Sequence, residues 1–183
     1  WDKMYSNPDL KEIEVIDEYS TLISLCNLYR GNCLVTDSHK HIYDLIVGCT
    51  GSNEEFEIYN IDFHHHMYHF RTKGDRVNCG NWGTVLSEER PNMKMKWVGR
   101  EDSATEVIGG DEVDVEKITM QDVIEVFQKE GFDYLFMCRS ALWSPPHLDY
   151  WFIRAVETLM HHCLVEYEEG ILRERAFGAD STI

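Results

Sequence analysis

The run FDYLFMC, Phe132–Cys138, is almost uninterruptedly apolar, and it is bounded by Gly131 and by the polar pair Arg139 and Ser140. So short and continuous a run reads as a strand covered on both faces, which calls for a sheet with helices packed over it. The segment before it, ITMQDVIEVFQKEG, reads as an amphipathic helix. Thr119 and Asp122 stand at capping-box spacing, Met120, Val123, Ile124 and Phe127 line one face, and Gly131 ends it. Similar alternation recurs upstream. Cys33–Val35 reads as a short buried strand, and Ile42, Leu45 and Ile46 give helical spacing after Ser38. FEIYNIDF and MKMKWVG alternate as strands, and GTVLSEERP is a short helix stopped at Pro91. Residues 9–29 suggest a strand and then a helix, HLDYWFIRAVETLMHHCLVEY reads as one long helix, and residues 101–117 as an acidic surface excursion. Strands that alternate with helices imply one α/β domain over residues 1–183 with a mostly parallel sheet.

Bulk properties narrow the function. The chain carries 33 acidic residues against 17 basic, a net charge of −16. That field repels phosphate backbones, which argues against nucleic acid, and it favours cations, whether a divalent metal or a cationic substrate. No apolar stretch is long enough to span a membrane, and the acidic N-terminus does not read as a signal peptide. The six cysteines are scattered without a CxxC pair, several among apolar neighbours, as expected of free thiols in a reducing, cytoplasmic setting.

In parallel α/β sheets, ligands bind beyond the carboxyl ends of strands. Three polar clusters fall at such ends: Asp37 and His39, then Asp62, His64 and His66, then Cys138 and Ser140. In an extended backbone Asp62, His64 and His66 share a face, with Phe63 and His65 on the other. A carboxylate and two imidazoles converging at a strand end form a ligand set for a divalent metal. His39 is a further candidate ligand, and His41 either supports a ligand from behind or faces the substrate; Cys138 is either a thiolate ligand or a core residue. There is no G-x-G-x-x-G, P-loop or G-x-S-x-G motif.

The order and spacing of DSH, DFHHH and YLFMCRSALWSPP over roughly residues 30–160 resemble the arginase–deacetylase superfamily, in the branch that includes the peptide arginases. NCGNWG followed by MKWVGRE is similar to that branch's Asn-rich turn and next strand. The resemblance implies a three-layer α/β/α, arginase-like fold. It places His39, Asp62 and His64 on the family's metal-ligand positions, while His66, Cys138 and Ser140 stand where the family has aspartates. With those carboxylates replaced, the implied site holds one zinc or iron(II) ion through His39, Asp62 and His66, with Cys138 either a fourth ligand or a core residue, better than a manganese pair. The expected activity is hydrolysis of a carbon–nitrogen bond in a guanidino or amide group of a small molecule or peptide, with His65 or His41 moving the proton. The alternative is a non-catalytic binding or regulatory protein with a structural metal or none. An open coordination position favours the first and a site closed by Cys138 the second.

Overall fold

The computed structural model describes residues 19–69, 76–100, 103, 115–140 and 144–167. In chain order these form α1 (Tyr19–Leu28), β1 (Asn32–Thr36), α2 (His41–Cys49), β2 (Phe56–Ile61), α3 (Trp82–Glu89), β3 (Met93–Val98), β4 (Glu116–Lys117), α4 (Met120–Glu130), β5 (Tyr134–Cys138), α5 (Asp149–Met160) and β6 (Leu164–Tyr167). The fold is α/β, with two small parallel sheets of strand order β5-β1-β6 and β2-β3-β4. The chain divides into two compact units, Trp1–Ser38 with Gly131–Ile183, and His39–Glu130. Among the described residues no helix is long and apolar enough to cross a membrane.

In the first unit β1 is central. Asn32 stands opposite Tyr134 on one side and Leu164 on the other. Cys33 and Val35 are buried, as are Cys26 and Tyr29 at α1 and Ala155, Val156 and Leu159 on α5. The Tyr29 hydroxyl lies within hydrogen-bond reach of the Asn32 and Asp133 carbonyls, at 2.7 and 3.1 Å, and so ties the starts of β1 and β5 together. All six cysteines are free. Burial pushes the Cys26 thiol up to about 11 and Cys33 up to about 12, so both are inert core groups at neutral pH.

One element departs from its sequence pattern. The long helix expected through residue 167 ends at Met160, and LVEY becomes β6, parallel to β1. Its apolar spacing suits either state; a free backbone edge on β1 decides the matter, and periodicity cannot register such an edge. The strand expected ahead of α1 falls outside the described residues.

The second unit is built on β2 and β3, paired in register from Phe56–Met93 to Ile61–Val98. Trp82, Leu86 and Met95 form its core, with Ile42 and Ile46 of α2 and Ile58 of β2 packed against them. Those two α2 residues are one helical turn apart, which is why α2 presents an apolar stripe to this core. The last turn of α3 closes with Arg90 N–H donating to the Leu86 carbonyl at 2.8 Å, and Pro91 follows. At α4, Thr119 N–H and Oγ1 contact Asp122 Oδ2 at 2.8 and 2.7 Å, and Asp122 N–H donates back to Thr119 Oγ1 at 3.2 Å. That reciprocal bonding is the capping box read from the sequence.

Candidate metal centre

Asp62 directly follows β2, and β3 fixes its backbone on both sides. Its N–H donates to the Val98 carbonyl at 3.3 Å, and its carbonyl accepts the Trp97 indole N–H at 2.8 Å. The chain then bends instead of continuing as a strand. Asp62 Oδ1 accepts the His64 backbone N–H at 2.8 Å, and Asn60 Nδ2 donates to the His64 carbonyl at 3.0 Å. A carboxylate bonding to the amide two residues on is an Asx turn. His66 adopts a left-handed backbone, φ 59°, which is uncommon outside glycine. Its carbonyl accepts the Gly83 N–H at 3.1 Å, and its Nδ1 lies 2.6 Å from the Cys79 carbonyl.

This turn brings three donors together. His39 Nε2 lies 3.2 Å from Asp62 Oδ2, and His66 Nε2 lies 3.4 Å from Asp62 Oδ1. The ligand atoms of His39, Asp62 and His66 all fall within 4.8 Å of one another. Two donors bound to one ion at ~2.1 Å and separated by ~90–110° stand roughly 3.0–3.4 Å apart, so the contacts to Asp62 match single-ion spacing. Burial alone would raise the Asp62 carboxyl, but the His39 and His66 imidazoles beside it outweigh burial and hold it well below the usual carboxylate range. Asp62 is therefore ionised at neutral pH.

His66 Nε2 is buried, and among the described residues its polar contact is the long one to Asp62 Oδ1 at 3.4 Å, short of a well-formed hydrogen bond. The Cys79 carbonyl can only accept, so His66 Nδ1 must carry a proton. In the protonated ring Nε2–H faces the Asp62 carboxylate and lowers it; in the neutral ring, the form that can ligate, Nε2 instead turns a lone pair toward it. Two electron-rich atoms face each other there, and a cation between them would satisfy both.

Among the described residues, the three-donor group takes in none of the other expected site residues. His64 Nδ1 is 3.8 Å from Asp62 Oδ1, with its side chain 45 % exposed at the rim of the three-donor group. The alternation that grouped it with Asp62 and His66 lapses where the chain bends after Ile61. His65, expected to move a proton, is only 1 % exposed. Its Nδ1 accepts the Met67 N–H at 2.9 Å, and its ring packs against Tyr68 and edge-on to Trp97, at centroid distances of 4.6 and 5.5 Å. Burial pushes the His65 imidazole down to about 4, with the neighbouring His66 and His64 adding to the effect. His41 is the half-buried first residue of α2. Cys138 ends β5 in the first unit, where its Sγ accepts the Ser140 N–H at 3.2 Å. Asp37 follows β1 in the same unit, half-buried.

The residues that seat His66 were not among the sequence candidates. Trp82 lies tilted against its ring at 5.6 Å. Gly83 is required by close approach: a Cβ there would meet Met67 Sδ at 2.7 Å and the His66 carbonyl at 3.0 Å. The usable signal was the NCGNWG run itself, whose glycines and asparagines mark a tight turn into α3.

No protein-family model matches the chain, and no curated protein or solved structure matches it either.

Proposed function

We propose that this chain is a metal-dependent, hydrolase-like protein in which His39, Asp62 and His66 hold one divalent ion, acting on a carbon–nitrogen bond of a guanidino or amide group. The observation that carries the metal reading is the three-donor group at single-ion spacing, with a buried imidazole nitrogen that among the described residues faces only the Asp62 carboxylate. Two imidazoles and one carboxylate suit zinc or iron(II) better than a manganese pair. Among the described residues three side chains supply ligand atoms, and a three-ligand set is the kind that catalytic sites use. When bound, such an ion lowers the pKa of a coordinated water toward ~7 and so supplies hydroxide at neutral pH. His64 is placed to take a proton at the rim: burial outweighs the pull of Asp62 and keeps its imidazole below the ordinary value.

The net charge of −16 favours a cationic small molecule or peptide as substrate. Free cysteines suit a cytoplasmic setting. The resemblance of its motif order to the arginase–deacetylase superfamily supports the choice of bond and an arginase-like, three-layer arrangement. A second reading, a non-catalytic binding protein with a structural ion or none, is favoured by His66, Cys138 and Ser140 standing where that superfamily has aspartates.

Elemental analysis of protein purified without chelators, beside Asp62→Ala, tests the proposal. About one equivalent of zinc or iron, lost in the variant, is the expected result. No metal in either sample, and no rise in melting temperature on adding any of these ions, would sink it. A metal-loaded protein inert toward guanidino and amide substrates would leave the second reading standing.

A further inference from the structure

The loop that precedes α3 is bonded to itself and to the His66 segment. Asn78 Oδ1 accepts the backbone N–H of Gly80 at 2.9 Å and of Asn81 at 3.1 Å. Asn81 Oδ1 accepts the Asn78 N–H at 2.7 Å, and Asn81 Nδ2 donates to the Arg76 carbonyl at 3.1 Å. The two asparagines thus clamp each other, and Cys79, the first of the two residues between them, presents its carbonyl to His66 Nδ1 at 2.6 Å. The same turn receives the neighbouring backbone: Tyr68 N–H donates to the Gly80 carbonyl at 3.4 Å, Gly83 N–H donates to the His66 carbonyl at 3.1 Å, and Thr84 Oγ1 donates to the Tyr68 carbonyl at 3.0 Å. Asn81 is itself 1 % exposed and its carbonyl accepts the Val85 N–H at 3.1 Å, so it also anchors the first turn of α3.

We propose that the Asn78–Asn81 turn is a tautomer lock for His66, with Asn81 as its positioning residue. By holding the Cys79 carbonyl against Nδ1, the turn keeps the proton on that nitrogen before any ion arrives and leaves the Nε2 lone pair aimed at the Asp62 side. A neutral imidazole can ligate through either nitrogen, and the hydrogen bond on one selects the other. The acceptor is a backbone carbonyl. The Cys79 thiol therefore has no part in the lock, although its carbonyl does. The inference rests on the metal reading of His39, Asp62 and His66, and it adds residues that supply no ligand atom.

The test begins with zinc-free wild-type protein, labelled with ¹⁵N at histidine, in mildly alkaline buffer. The His66 signals should show the Nδ1–H form. Zinc affinity is then measured against a competing chelator in wild type, Cys79→Ala, Asn81→Ala and Asn81→Asp. Removing an outer partner of a metal-ligating histidine weakens binding by roughly 10–100-fold. Asn81→Ala should show that loss and a mixture of His66 tautomers. Asn81→Asp, which keeps the oxygen that accepts the Asn78 N–H, should recover most of the affinity, and Cys79→Ala should bind as wild type does. A His66 ring carrying its proton on Nε2 in the zinc-free wild type would overturn the lock, even if Asn81→Ala failed to fold. So would Asn81→Ala with a lower melting temperature but unchanged zinc affinity. Failure of the wild type to bind zinc, iron(II) or manganese would instead overturn the underlying metal reading.

Discussion

His65 and His66 are adjacent in the chain, and the backbone sends them to opposite environments. His66 turns toward Asp62, while His65 enters an aromatic pocket with Trp97 and Tyr68. Alternation along an extended chain separates the same two residues, but for a reason the structure does not keep. The chain has left the strand by Asp62, and an Asx turn with a left-handed His66 does the work instead. Asp62 and His66 were therefore legible as partners, whereas the rim position of His64 was not, because no residue pattern encodes where an extended run breaks. The buried His65 makes a specific prediction. Its imidazole is pushed down to about 4 in the folded chain, against ~6.5 when unfolded. Between those values the unfolded chain binds a proton that the folded chain refuses, so His65 contributes stability above ~6.5 that is lost as the pH falls toward 4. Urea denaturation of metal-free protein across that window should show falling stability, and His65→Leu should flatten the slope. Equal slopes in the two proteins would remove His65 from the account.

At the scale of elements, the amphipathic helices and apolar strands were readable because each is specified by its own residues. The capping box of α4 and the stop of α3 at Pro91 lie where local chemistry puts them. β6 and the turn that seats His66 are specified by partners distant in sequence, β1 for the one and α3 for the other. Helix α3 links core and site, and two substitutions on it separate these roles. Leu86 is fully buried in the core with Trp82 and Met95. Leu86→Ala should cost about 2–5 kcal/mol of stability through lost burial and a cavity. Zinc affinity of the folded fraction should stay near that of the wild type. Gly83→Ala adds a methyl where the His66 carbonyl stands at 3.0 Å and Met67 Sδ at 2.7 Å. Methionine can swing aside, but the backbone carbonyl cannot without moving His66. Overpacking of this kind costs about 1–3 kcal/mol, and here it should also weaken zinc binding several-fold. Calorimetry paired with chelator competition reads both quantities. Equal affinity in wild type and Gly83→Ala would show that α3 seats His66 less tightly than the contacts imply.

For the whole molecule, the sequence announces parallel strands and intervening helices, but not their distribution over two three-stranded sheets. Strand periodicity carries no information about which edge a strand will choose. The division has a thermodynamic consequence, because His39, Asp62 and His66 all belong to the His39–Glu130 unit. An ion that binds only the folded site stabilises it by about 2.7 kcal/mol when its free concentration is a hundred times Kd. That free energy acts first on openings that break the site, and those lie in the unit that supplies the ligands. Hydrogen exchange with and without zinc should therefore slow in β2, β3, α2 and α3, where the amides support Asp62, His39 and His66. Amides of β1, β5 and α5 should change less, because openings confined to that unit leave the three ligands in place. Asp62→Ala should abolish the difference everywhere, which ties it to the ion and not to nonspecific metal binding by an acidic chain. Slowing spread evenly over both units would mean that they open only together, so that the ion stabilises a single cooperative fold. Slowing confined to the first unit would place the ion somewhere other than His39, Asp62 and His66.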